Sequence, residues 1–133
     1  MEKLSATKNV DMSVKPSKIV INHGYNDAYF DANNPAITSE EFSAALNKTL
    51  NRLNELYNDT PIYYFIPINQ KYTEEIRAAA NRYSNLSVIE SASIEIATLD
   101  GIHPNAASAE NMGNTLAESI MKAENRTHVF DSY

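Results

Sequence analysis

Two short stretches of this chain carry side chains suited to acyl-transfer chemistry. In Asp100-Gly101-Ile102-His103-Pro104-Asn105 an aspartate stands three residues before a histidine, with a glycine between them and a proline behind. A turn at that spacing brings the carboxylate to one imidazole nitrogen, which fixes the tautomer and leaves the other nitrogen free as a base. Such a base takes a proton from a nucleophile and returns it to the leaving group. The same residues also suit a surface histidine at a helix start with Asp100 as an ordinary turn former. The second stretch is Gly24-Tyr25-Asn26-Asp27. A carboxamide such as Asn26 can donate its NH2 to an oxyanion, and Gly24 lets backbone approach a reacting carbonyl closely. Gly, Asn and Asp are equally the residues of a plain turn.

The elements that must position these residues follow from apolar spacing. Lys18 to Asn22 is a run of branched residues without alternation, which predicts a short strand buried on both faces. Thr38 to Asn58 carries Phe42, Ala45, Leu46, Leu50, Leu53, Leu56 and Tyr57 at helical spacing, with Thr38 and Glu41 as a capping box. Pro61 to Pro67 predicts a second buried strand, Thr73 to Tyr83 a helix, and Leu86 to Glu90 a third strand. Asn105 to Lys122 predicts the last helix, with Met112, Leu116, Ile120 and Met121 on one side. Strands alternating with helices imply right-handed crossovers and a parallel sheet flanked by helices. The expected fold is therefore α/β, a three-layer sandwich of flavodoxin-like type. Ligands of such sheets bind beyond the carboxyl ends of the strands, where both stretches are expected to fall.

Composition narrows the class of function. A chain of 133 residues, 43% hydrophobic and 21% charged, fits one soluble domain with a real core. Residues 1–17 read as an irregular lead-in, 18–122 as the α/β core and 123–133 as a tail. Net charge of −6 argues against a nucleic-acid partner, which calls for a clustered basic surface. No apolar run is long enough for a membrane span, so no membrane partner is expected. With no cysteine, and with His23 and His128 lacking a second histidine at ligand spacing, no metal site is expected. Glycines at only 24, 101 and 113 exclude a glycine-rich phosphate loop. Tyr57, Tyr63, Tyr64, Tyr72 and Tyr83 read mainly as packing. Tyr25, Tyr29 and Phe30 follow Asn26 closely and suit either an acyl or sugar pocket or the anchoring of a loop.

Taken in order, Gly-x-Asn-Asp after a buried strand and Asp-x-x-His-Pro-Asn before the last helix resemble blocks III and V of the SGNH (GDSL-type) hydrolases. The segments Lys18 to Ala28 and Asp100 to Gly113 are similar to small carbohydrate-esterase-like members of that family. The resemblance covers about residues 16–122. It implies that Asn26 lines the oxyanion hole, Asp100 is the triad acid and His103 the triad base, with Gly24 and Asp27 structural. It implies no metal or organic cofactor, and a small ester or acetylated carbohydrate as substrate. A bacterial, secreted or periplasmic setting goes with the carbohydrate-esterase likeness.

The family pattern also begins with a strand ending in Gly-Asp-Ser, whose serine is the nucleophile, and no such motif precedes Gly24. The one Asp-Ser pair, Asp131-Ser132, lacks the glycine and a following helix. The expectation is a fragment corresponding to the C-terminal part of an SGNH domain, with its serine supplied from outside the recognised segments. The alternative is a catalytically silent SGNH-like binding or assembly module. Missing first strands would leave a flank of the Lys18 to Asn22 strand open, so self-association or a missing N-terminal segment is expected.

Overall fold

The computed structural model describes residues 13–29 and 35–124. Asp131-Ser132, Phe30 and His128 lie outside the described residues. Within the described residues the order is β1 (Ile19–Ile21), a 3-10 turn (Asn26–Ala28), α1 (Ser39–Leu56), β2 (Ile62–Phe65), α2 (Thr73–Arg82), β3 (Leu86–Ile89) and α3 (Ala106–Ala123). The strands form one open parallel sheet in the order β1-β2-β3. This is the expected α/β arrangement, with each predicted element present within a residue or two of its predicted ends. The chain divides into two compact units, residues 1–88 and residues 89–133.

In the first unit, β1 pairs with β2 so that Ile19 faces Ile62, Val20 faces Tyr63 and Ile21 faces Tyr64. Because side chains alternate along a strand, Ile19, Ile21, Ile62, Tyr64, Leu86 and Val88 share one sheet face. That face packs against Phe42, Leu46 and Leu50 of α1 and Ile76 and Ala79 of α2. Two crossovers running the same way along a sheet place their helices on the same side when both have the usual hand. Helix α1 starts where its sequence says it must. The Thr38 hydroxyl accepts from the Glu41 amide and the Glu41 carboxylate accepts from the Thr38 amide, satisfying two amides that the helix cannot. The two helices are tied at their outer surface, where Arg82 donates to Asn47 and the Tyr83 hydroxyl to Asn51.

All four residues of β2 are buried, and burial continues through Ile66 and Pro67, as a central strand covered on both faces requires. Strand β1 departs from the expectation. Ile21 is buried, but Val20 is 44% exposed. An unbroken branched run signals burial on both faces only if both faces are covered. Val20 points to the face opposite Ile21, and β1 is one of the two edge strands of the described sheet.

In the second unit, α3 presents Met112, Leu116, Ile120 and Met121 half-buried, while Ser108 is buried. Its start is fixed by Asn105, whose side chain accepts from the Ser108 amide. No helix among the described residues is long and apolar enough to cross a membrane.

Candidate active site

The Gly24 turn leaves the carboxyl end of β1 and is fastened at every second carbonyl. The Tyr64 hydroxyl donates to the His23 carbonyl at 2.8 Å, Asn69 Nδ2 to the Tyr25 carbonyl at 3.2 Å, and the Tyr72 hydroxyl to the Asp27 carbonyl at 3.0 Å. Just before it, Asn22 Nδ2 donates to the Phe65 carbonyl at 2.8 Å and ties the ends of β1 and β2 together. Gly24 has φ of +115°, and a Cβ there would lie 3.2 Å from the Phe42 ring and 3.5 Å from Pro67 Cγ. The backbone conformation therefore calls for glycine, and the space is tight enough that a Cβ would push the Phe42 ring by a few tenths of an ångström.

The turn buries its carbonyls' bonding capacity inward and leaves Asn26 exposed. Among the described residues no hydrogen bond engages the Asn26 carboxamide. The Tyr25 and Tyr29 rings stand beside it with centroids 5.5 Å apart and hydroxyls 3.4 Å apart, and Tyr29 is 46% exposed. Asp27 contributes its backbone, accepting from both Tyr72 and the Ile37 amide, at 2.9 Å for the latter. Burial chiefly, and then the Asp27 charge, push the Tyr64 phenol well above its ordinary range. It remains a protonated donor to His23 under any physiological condition. A shallow cleft opens beside the turn, lined by Ala28, Lys71, Tyr72 and Thr73 among others.

The second site is the loop before α3. Thr98 and Pro104 form an antiparallel bridge, and the Asn105 amide donates to the Ala97 carbonyl at 2.8 Å. Gly101 turns the chain with φ of +80°, its amide donating to Thr98 Oγ1 at 3.1 Å. Within the loop one oxygen of Asp100 accepts from the Ile102 and His103 amides at 2.9 and 2.6 Å. Its other oxygen lies 2.5 Å from His103 Nδ1. The loop is moored to α3 through Ser108 Oγ, which accepts from the Ala97 amide at 2.8 Å.

That arrangement is the one the Asp-x-x-His spacing predicts. The hydrogen bond with the His103 ring, followed by those from the two amides, holds the Asp100 carboxyl far below the usual carboxylate range. An ionised carboxylate at Nδ1 keeps the proton there and presents Nε2 with its lone pair. Among the described residues no hydrogen bond engages Nε2. The His103 and Asp100 side chains are 76% and 50% exposed, so the pair is held by its own turn rather than by burial. Exposed ion pairs add little to stability, and the order here comes from the three bonds that converge on one aspartate.

The structure thus brings Asp100 and His103 together, and gathers Gly24, Tyr25, Asn26, Asp27 and Tyr29 into one turn. The two groups belong to different compact units. Sequence reasoning missed the residues that fasten them. Asn69 and Ser108 lie outside both motifs, and the positions of Tyr64 and Tyr72 suit packing. The available signal was the pair of tyrosines at 63 and 64 inside an otherwise apolar buried run, since a buried hydroxyl has to find a partner.

No protein-family model matches the sequence, and no curated protein does. Among solved structures, the chain is similar to a carbohydrate esterase family 2 enzyme with a carbohydrate-binding domain from Corynascus thermopiles (Myceliophthora fergusii). The TM-score is 0.69 at 20% identity, covering 85% of this chain and 39% of that one. At such low identity the likeness gives the fold alone, an open parallel sheet with helices in an α/β arrangement.

Proposed function

We propose that this chain is an SGNH-type ester hydrolase domain acting on small O-acylated molecules, acetylated carbohydrates foremost. In this reading His103 Nε2 takes the proton from a serine, Asp100 holds the imidazole tautomer, and the Asn26 carboxamide donates to the oxyanion. In the same reading the serine comes from outside the recognised segments. The observation that carries the reading is the Asp100–His103 bond, in which Nδ1 is held by a carboxylate with lowered pKa on a histidine side chain that is largely exposed. The fold likeness to a carbohydrate esterase supports the substrate class. Tyr25 and Tyr29 flank Asn26 as an aromatic surface for the sugar or acyl group. A carbohydrate ester substrate suits a secreted or periplasmic enzyme.

The test is hydrolysis of 4-nitrophenyl acetate and of an acetylated oligosaccharide by the protein as expressed from its gene, with fluorophosphonate labelling in parallel. His103→Ala and Asp100→Asn are expected to lower kcat by about 10²–10⁴-fold, the usual contribution of a general base. Asn26→Ala is expected to lower it by about 10²–10³-fold, as loss of one oxyanion donor does. Absence of both turnover and labelling would sink the enzymatic reading in favour of a silent binding or assembly module. The open edge of β1 supports a further proposal, that the chain pairs through this strand with a second copy or a further strand.

A further inference from the structure

We infer that Tyr72 is a positioning residue that clasps the Asn26 turn and sets the aim of its carboxamide. This rests on the reading of Asn26 as an oxyanion donor. The Tyr72 hydroxyl lies 3.0 Å from the Asp27 carbonyl and 2.5 Å from the Ile37 carbonyl, so one phenolic proton serves two acceptors ten residues apart in the chain. The Ile37 amide donates in turn to the Asp27 carbonyl at 2.9 Å, closing a three-way junction at the residue after Asn26.

The ring completes the clasp from below. It stacks on Phe42 with centroids 4.2 Å apart and planes within 5° of parallel. Phe42 is the side chain against which Gly24 packs, and a Cβ there would lie 3.2 Å from its ring. Tyr72 therefore grips the turn at both ends, through Phe42 at Gly24 and through its hydroxyl at Asp27. Asn26 lies between the two grips.

Its backbone marks the same role. Tyr72 is the N-cap of α2 with φ of +57° and makes no side-chain cap bond to that helix. A left-handed backbone is costly for a bulky residue and persists where the surroundings over-determine it. A conventional Ser, Thr or Asp at this position would cap α2 better but reach neither carbonyl. The sequence has given up a helix cap and placed a long phenol there, with its hydroxyl on the turn.

The decisive variant is Tyr72→Phe, which keeps the ring stack and removes the hydroxyl. Tyr83→Phe is the matched control, since the Tyr83 hydroxyl bonds Asn51 and the Asn47 carbonyl on α1, away from the turn. In Tyr72→Phe the Asn26 side-chain amide resonances are expected to shift and broaden, and in Tyr83→Phe to stay in place. Deacetylation by Tyr72→Phe is expected to show kcat lower by about tenfold to a hundredfold with KM little changed, as misaim of a catalytic group by about 1 Å does. Asn26 resonances identical in the two variants would overturn the clasp. If they move in Tyr72→Phe but Asn26→Ala hydrolyses at full rate, the clasp stands and the oxyanion role falls. Should Tyr72→Phe fail to fold, hydrogen exchange of the native protein decides. The Ile37 amide is expected to be strongly protected, and free exchange there would overturn the proposal.

Discussion

At the scale of single residues the chemistry is concentrated in Asp100. Its carboxylate accepts three hydrogen bonds, one from the imidazole and two from amides of its own turn. Because those bonds favour the ionised form, its folded pKa lies below the value near 3.9 of an unfolded aspartate. The sign follows directly. The contribution to stability is present above about pH 4 and is lost only as pH falls through the depressed folded value. A carboxyl carbon NMR titration is expected to show no inflection for Asp100 between about pH 5 and pH 3, the range in which an ordinary aspartate titrates. An ordinary titration curve there would mean that the carboxylate does not hold His103 in solution. Any acid limb of the pH–rate profile above about pH 4 accordingly belongs to a group other than Asp100.

At the scale of elements, the Gly24 turn shows how a helix and two strands fix one short loop. Phe42 reaches it from α1, Pro67 follows β2, and Asn22 closes the end of β1 against Phe65. Gly24→Ala must either distort a φ of +115° or displace the Phe42 ring. Its expected cost is about 1–3 kcal/mol, read from the midpoint of denaturant unfolding. An unchanged midpoint would show that the turn does not pack on Phe42 as described. Much of this layer was legible in advance. The spacing of Phe42, Leu46 and Leu50 located α1, and Thr38 with Glu41 marked its start, because capping and periodicity depend on neighbours in sequence. The partners of the turn were not legible. Tyr64, Asn69 and Tyr72 lie more than forty residues from the carbonyls His23, Tyr25 and Asp27 that they bind. Nothing in local spacing announces such a contact.

At the scale of the whole molecule, the open edge of the sheet and the charge pull in different directions. In β1 the Ile19 amide turns toward β2, donating to Pro61, so by alternation the Val20 amide turns toward the open edge. An edge with an exposed valine and no charge of its own is a template for another strand. Net charge of −6 opposes association over long range but is screened within about 8 Å at physiological ionic strength. The expected outcome is a mass in solution above that of one chain, rising with salt, and reduced toward a single chain by Val20→Lys. Light scattering after size exclusion measures it. A clean monomer at high concentration and high salt would remove the edge as an interaction surface. The chain spans 39% of the length of the esterase structure it resembles.

The sequence by itself determined the order of strands and helices, the capped start of α1, and the closeness of Asp100 to His103. Each of these rests on residues within a few positions of one another, where hydrogen bonds and side-chain period leave little choice. Tertiary structure decided what distant segments do to each other. It left Val20 of a uniformly apolar strand exposed, because burial belongs to whatever covers a face and not to the residue that occupies it. It also made Tyr64 and Tyr72 donors that fasten the Asn26 turn, because the buried Tyr64 phenol must find an acceptor and only the fold brings distant carbonyls within reach of either hydroxyl.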